Sequence, residues 1–359
     1  HVYLINPAGI VFGSGAQVNV GGIVASTLDL QGSTLEERNA SFLAGRDRVF
    51  VRDGVESAEV WVDEDASIAA APQGRVMLMG SSRVTNYGRI EAEGGQVGLG
   101  VGTRIELDPF GDGLTTLRID TEEANGARVE NYGQILANGG RVELRANDSE
   151  GGVGNVWTDS LPSAGRIVAR DGQIILEAGG GRVNLDGELD ARGTARGGYI
   201  ATSGNTFVIG SEFAVDASAS APAGQAGTWL LDPQDVYIVA GPAASDPNTL
   251  YDSTISAALD TGTNVTVMTP SGGSATEGNV FFDDVVIQRS KAGTPVSFTV
   301  NADRSILSQG SVTIQSIAGA GPLHVTLNAD AHNHPGDPAS GGVSSSVGAT
   351  FSDSILKLR

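Results

Sequence analysis

Chemistry in an unfamiliar chain is sought first in its acids, its histidines and its glycine turns. Adjacent carboxylates recur as Glu36-Glu37, Asp63-Glu64-Asp65, Glu122-Glu123 and Asp283-Asp284. Glycan hydrolysis or lysis needs two or three acids converging on one face, often with Ca²⁺ or a basic partner. Neighbours along an extended strand point to opposite faces, so such pairs cannot both line one cleft there. All of them fall in the less regular segments and read as solvated charge. The histidines are His1, His324, His332 and His334. His332-Asn333-His334 sets two imidazoles on one face of an extended segment, a chelate-like pair with Asp330 and Asp337 close by. No third ligand stands at a convincing spacing, so a polar loop is the preferred reading. Gly151-Gly152-Val153-Gly154 has the glycine spacing of a calcium nonapeptide repeat but lacks its Asp and occurs once. Gly13-Ser14-Gly15 has no third glycine for a dinucleotide turn, and no Gly-Lys-Ser/Thr loop or Ser/His/Asp arrangement is recognisable. We therefore expect a non-enzyme, with no catalytic residue, no metal and no cofactor.

Composition narrows the classes further. Lys+Arg 22 against Asp+Glu 42 gives a net charge of −20, a field unsuited to nucleic acid because no basic surface is available to release phosphate counterions. Cys is absent, which excludes a disulfide scaffold, thiol catalysis and a Cys-zinc site, and fits passage unfolded through an oxidising compartment. The 51 glycines and only 5% aromatic residues suit shallow layers filled by Val, Ile, Leu and Ala rather than one deep core. No run of 18 apolar residues exists, so no segment reads as a membrane-spanning helix.

The elements that would position any site come from self-similarity. Residues 84–99, VTNYGRIEAEGGQVGL, and 129–144, VENYGQILANGGRVEL, share a skeleton at an offset of 45. Shorter copies begin at Gly165 and Gly187, 22 apart, and Ile68 precedes Ile90 by 22, so 45 reads as nearly two units of 22. Apolar residues alternate over three to five positions inside each copy, with Gly-Gly or Asn-x-Gly between: short half-buried strands joined by tight turns. The fold expected is all-β, a right-handed parallel β-helix. A propeller would need blades of roughly 40–50 residues, which the 22-residue copies disfavour.

The pattern is interrupted near 31–65 and 104–125, which read as β excursions from a solenoid spanning 1–239. Residues 240–262 read as a connecting segment with one short helix, Ser253 as its N-cap and its end before Gly262. Solenoid repeats continue over 263–359, where VSFTVNAD and LHVTLNAD recur 27 apart. Both ends run in strand-like sequence, Val2-Tyr3-Leu4-Ile5 and Ser354-Ile355-Leu356-Lys357-Leu358, so we expect an internal segment of a longer polypeptide or end-to-end self-association.

Two stretches carry a family resemblance. VYLINPAGIVFGSGAQVNVGGIVAST, residues 2–27, closely resembles the haemagglutination-activity region of the filamentous haemagglutinin family. That family's Asn-Pro-Asn-Gly-Ile is matched at Asn6, Pro7, Gly9 and Ile10, with Ala8 in place of the second Asn. GTWLLDPQDVYI, residues 227–238, is similar to a segment that often follows it, and supplies Gly227, Thr228, Trp229, Leu230, Leu231, Asp232 and Pro233. The DSTISAALDTGTNVTV run also fits. The resemblance implies a β-helical exoprotein of a two-partner (type V) secretion system, exported through an outer-membrane transporter of a Gram-negative bacterium. It implies a secreted or cell-surface adhesin, haemagglutinin or stalk, with surface glycans or receptors as partners. A carbohydrate-active β-helix enzyme and an extracellular filament or matrix protein are the alternatives.

Each motif residue also has a structural reading. Asn6-Pro7-Ala8-Gly9 is first a β-turn with Pro at its second position; in the family that turn is tied to secretion, by direct recognition or by correct folding. Asn86 and Asn131 hold equivalent positions before Tyr-Gly, with Gly88 and Gly133 following, and read as amides capping turn backbone. Trp229 reads as a core side chain, whereas Trp61 and Trp157 lie in irregular sequence and are the better sugar-stacking candidates if exposed.

Overall fold

Strands with one apolar face become stable here only when the chain returns and lays the next strand on the last. The computed structural model describes residues 2–32, 34–43, 49–52, 58–107, 117–120, 126–146, 154–158, 166–270, 277–329, 342–345, 349–352 and 354–358. The protein forms two compact units, His1–Ala169 with Ile174–Asn184, and Arg170–Gln173 with Leu185–Arg359. Each is a parallel β-helix. The division falls inside the 1–239 stretch read as continuous, because the sequence repeats run through residue 185 without a change of composition.

In the first unit three parallel sheets make the walls. The first runs through Val2–Ile5, Ile23–Ser26, Arg75–Gly80, Gln96–Val101 and Arg141–Ala146. The second runs through Ile10–Phe12, Glu59–Val62, Arg83–Asn86, Ala127–Asn131 and Gly154–Thr158. The third runs through Gln17–Val20, Ser67–Ala70, Arg89–Glu91, Gln134–Leu136 and Arg166–Val168. Inward positions stack like on like: Val76, Val97 and Val142; Leu78, Leu99 and Leu144; Ile68, Ile90, Ile135 and Ile167. All are at most 1% exposed. Removing such a column from water is the main source of stability, at about 25 cal/mol per Å² of apolar surface.

The pairing corrects one inference from the repeats. Asn86 pairs directly with Asn131 and Val97 with Val142, so residues 45 apart are neighbours, not two turns apart. One rung is 21 or 22 residues where nothing is inserted, as in Val76 to Val97 and Ile68 to Ile90. The remainder of the 45 is the excursion after Val101, from which the chain returns at Ala127. The excursion after Ser26 returns earlier than the sequence indicated, since Glu59–Val62 is already a wall strand.

Both excursions leave between the first and second sheets, and that shared corner joins them into one layer. Asp29–Leu30, Val49–Val51, Arg104–Leu107 and Leu117–Asp120 form one antiparallel sheet. Its Phe50, Ile105, Leu107, Leu117 and Ile119 bury against the outward Val24, Met77 and Met79 of the first wall. Gly98 makes room for it: a Cβ there would stand 2.5 Å from Met77 Sδ and 3.1 Å from Leu117 Cδ1. In register with Gly98 one rung on, the buried Glu143 accepts Leu117 N–H at 3.0 Å and is flanked by Arg141 and Arg145. Where the first excursion leaves and returns, Ser81 N–H donates to Thr27 Oγ1 and Ser81 Oγ accepts Ala58 N–H, closing both edges of the gap. This excursion also holds a helix that the sequence did not announce, α1 (Leu35–Leu43), with Glu36 and Glu37 exposed in its first turn where the helix dipole favours acids. Residues 108–116 of the second excursion and the Glu122-Glu123 pair lie outside the described residues.

In the second unit Tyr199–Ser203, Thr228–Asp232, Asn264–Met268, Val296–Asn301, Leu323–Asn328 and Ser354–Leu358 pair in parallel. A second sheet carries Thr249–Tyr251, Val236–Val239, Val280–Arg289 and Ser305–Ser316. α2 (Asp252–Thr261) ends at Gly262, whose φ of 101° is the left-handed cap glycine tolerates. Its N-cap is Tyr251 without a side-chain cap, not Ser253, whose Oγ donates to the Gly241 carbonyl. In the strand Val280–Arg289, Asp284 has φ 47° at a register shift, so Asp283 and Asp284 are both exposed; the rule that neighbours face opposite sides fails at this bulge.

The first unit has one deep apolar anchor away from the coil, so Phe50→Ala is expected to lower its unfolding free energy by about 3–5 kcal/mol in urea titrations. In the second unit the fully buried Asp190 accepts hydrogen bonds from Arg192 Nε and Nη2 at 2.9 and 2.7 Å and from Arg170 Nε at 3.2 Å. Burial pushes its pKa up, but the Arg192 hydrogen bonds and the Arg192 and Arg170 charges outweigh that and leave it below 3.8. A depressed carboxylate stabilises above its unfolded pKa and loses that contribution as pH falls through the folded value. Asp190→Asn is therefore expected to lower the urea midpoint at pH 7, with a penalty that shrinks below about pH 4.

Candidate functional site

The turn singled out by the sequence joins the first two strands, Val2–Ile5 and Ile10–Phe12. Asn6, Pro7 and Ala8 are exposed and Ile10 is buried at 5%. Pro7 presets φ for the corner, and Gly9 sits at φ 117°, a region closed to side chains with a Cβ. The Asn6 side chain is consumed within the turn: Nδ2 donates to the Gly9 carbonyl at 2.9 Å, and Oδ1 accepts the Ala8 N–H at 3.2 Å. Gly9 N–H donates to the Asn6 carbonyl at 3.1 Å, and Asn6 N–H to Ser26 of the next rung at 3.0 Å. The arrangement is a rigid, exposed corner with its backbone fixed from within.

The repeat residues form a different device. Asn86 and Asn131 close their strands and are fully buried. Asn86 Nδ2 donates to Asn131 Oδ1 at 2.8 Å, Asn86 Oδ1 accepts Gly88 N–H at 3.1 Å, and Asn131 Nδ2 donates to the Gly133 carbonyl at 3.1 Å. Each amide thus serves its own turn and its neighbour's rung. Gly133 lies so close to the rung before it that a Cβ would stand 2.1 Å from the Gly88 carbonyl. The intervening Tyr87 and Tyr132 stack at 4.7 Å and 14°, and Trp61 closes on Tyr87 at 5.1 Å. Tyr87 thus packs between Trp61 and Tyr132, and all three rings are half-buried. Of Trp157 only the register is described, opposite Glu130.

The second motif sits in the other unit. Gly227 precedes the strand Thr228–Asp232, where Trp229 and Leu231 point inward at 0% and 1% exposure while Thr228, Leu230 and Asp232 are half-buried; Pro233 is buried. Trp229 Nε1 donates to Thr202 Oγ1 at 3.2 Å, and its ring lies 5.4 Å from Phe213. Asp235, which the motif analysis passed over, accepts Gly278 and Asn279 N–H at 3.0 and 2.8 Å and so fastens the next rung. Its signal was the second acid of Asp232-Pro233-Gln234-Asp235.

Two buried glutamates of the first unit, Glu130 and Glu143, have structural partners. Glu130 accepts Thr85 Oγ1 at 3.2 Å and lies 3.8–3.9 Å from Arg128 and Arg83. No group of three or more His, Asp or Glu residues suited to a metal occurs among the described residues. His332, His334, Asp330, Asp337 and residues 151–153 lie outside them.

With this geometry in view, comparison with known proteins is informative. A family model, TPS secretion domain, matches residues 1–191, just over half of the chain. The structure resembles the crystal structure of the HMW1 secretion domain from Haemophilus influenzae, with TM-score 0.53 and 20% identity over 99% of this chain and 79% of that one, a likeness of fold. No curated protein matches the sequence. The parallel coil, its opening corner and the family match agree: this chain belongs to the TPS secretion domain family of two-partner secretion exoproteins, secreted proteins of Gram-negative bacteria whose partner is an outer-membrane transporter.

Proposed function

We propose that this chain is the export and folding module of a cell-surface exoprotein of adhesin, haemagglutinin or stalk type. The observation that carries the export reading is the exposed corner Asn6–Gly9, braced by its own side chain and tied to the next rung at Ser26. Its role is to fix the first rung, so that later rungs have a template as the chain emerges from the transporter. Non-enzymatic action fits the buried Glu130, Glu143, Asp190 and Asp252, which are engaged with a hydroxyl, backbone N–H groups or arginines. The reading includes contact with surface glycans or receptors along the outward faces. It also includes end-to-end self-association of the coil.

Export with the outer-membrane transporter tests the corner. Gly9→Val is expected to reduce the amount exported and to lower the urea midpoint of the refolded chain, with a loss of about 1–3 kcal/mol in unfolding free energy, because it forces a branched side chain into positive φ. Asn6→Ala is expected to lower both by a smaller step. Loss of export by Asn6→Ala with an unchanged midpoint would instead make the corner a contact surface for the transporter.

A further inference from the structure

In the second unit α2 lies where a β-strand would be expected. The strand Val280–Arg289 pairs on one side with Val236–Val239 over Val280 to Asp283, and on the other with Ser305–Ser316 along its length, with a register shift between Asp283 and Val285. Beyond Asp283 the edge that Val236–Val239 leaves is taken over by α2. Val286 N–H donates to Asp252 Oδ2 at 2.9 Å, Gln288 N–H to Ser256 Oγ at 3.0 Å, and Ser290 N–H to Asp260 Oδ1 at 2.6 Å. Lys291 N–H adds a second bond to Asp260 Oδ1 at 3.0 Å. The match is metric: four helical residues advance about 6 Å, and two strand residues about 6.6 Å. Asp252, Ser256 and Asp260 therefore supply, from side chains, the acceptors that a neighbouring strand would supply from its carbonyls.

The same contact contains a conflict. Arg289, between Gln288 and Ser290, is 2% exposed, and its Nε and Nη1 have no hydrogen-bond partner among the described residues. Gly293 packs on it closely enough that a Cβ there would stand 3.0 Å from Nη2. Burial lowers the Arg289 pKa, and the nearby Asp260 charge opposes that fall. Asp260 instead accepts Ser290 N–H and Lys291 N–H on Oδ1 and the Ser290 hydroxyl on Oδ2. A buried charge without hydrogen bonds disfavours the state that buries it. Ten residues of helix, held to this edge by side chains, are also marginal as an isolated element.

We propose that α2 is a lid over a strand edge, held shut by Asp252, Ser256 and Asp260 and biased toward opening by the buried Arg289. When it lifts, the guanidinium is hydrated and the N–H groups of Val286, Gln288, Ser290 and Lys291 become a free strand edge. The lid thus guards an edge that would otherwise template strand addition.

Amide hydrogen exchange on the whole chain tests this, with the amides of 286, 288, 290 and 291 as readout and those of Phe298 and Val300 in the neighbouring sheet as reference. Arg289→Met, which keeps the length and removes the charge, is expected to slow exchange at the four amides by about ten-fold or more relative to the reference. Asp260→Asn retains an acceptor oxygen but removes the counter-charge, and is expected to speed their exchange. In the Arg289→Met background the Asp260→Asn effect is expected to be smaller, since the charge it opposes is gone and only the lost Ser290 hydroxyl bond remains. Faster or unchanged exchange in Arg289→Met, or an Asp260→Asn effect of equal size in both backgrounds, would overturn the proposal. If Arg289→Met does not fold, the lid bias is likewise refuted, because the proposal requires that variant to be the more closed one.

Discussion

The backbone ladder from each rung to the next is the constraint on which everything else depends. A parallel coil survives only if every turn of chain returns to the same register, whatever the number of residues in between. A one-residue slip would turn each inward Val, Ile or Leu column outward and expose it. The stacked valines at 76, 97 and 142 and isoleucines at 68, 90, 135 and 167 show that register held through loops of very different length. The Asn86–Asn131 amide bond and the close approach of Gly133 to Gly88 are local consequences, since a polar corner and a bare one can each stack only on their own kind.

Surplus sequence is handled in two physically distinct ways. In the first unit it is sent out at one corner, where two excursions a rung or more apart become near neighbours and complete each other as an antiparallel sheet. That sheet is tied to the coil by an apolar seam around Phe50 and by the buried carboxylate of Glu143. In the second unit surplus sequence becomes α2, whose side chains replace strand carbonyls along an edge. Both solutions keep the coil register of their own unit intact.

Much of this was legible in the residues. Alternation, glycine turns and the 22-residue copies identified the parallel coil, and the stretch around Asn6–Ile10 lies within the residues that match the family. The spacing of 45 misled, because a sequence offset counts residues while a ladder counts rungs, and only pairing reveals the insertion. α1 was hidden by its weak amphipathic pattern and charged composition. Asp235, Glu143 and Arg289 were not legible because their importance lies in a partner on another rung. The corner of Asn6 was legible as a turn, but that its amide is spent on Gly9 and Ala8 appears only in three dimensions.

The register claim can be read directly by NMR on the isotopically labelled, deuterated chain, as a scalar coupling across a backbone hydrogen bond. The Tyr132 amide lies 2.8 Å from the Asn86 carbonyl oxygen. A coupling between the Tyr132 nitrogen and the Asn86 carbonyl carbon is the predicted result, placing residues 45 apart on adjacent rungs. A coupling from Tyr132 to a carbonyl some 22 residues upstream, near residue 110, would contradict the account.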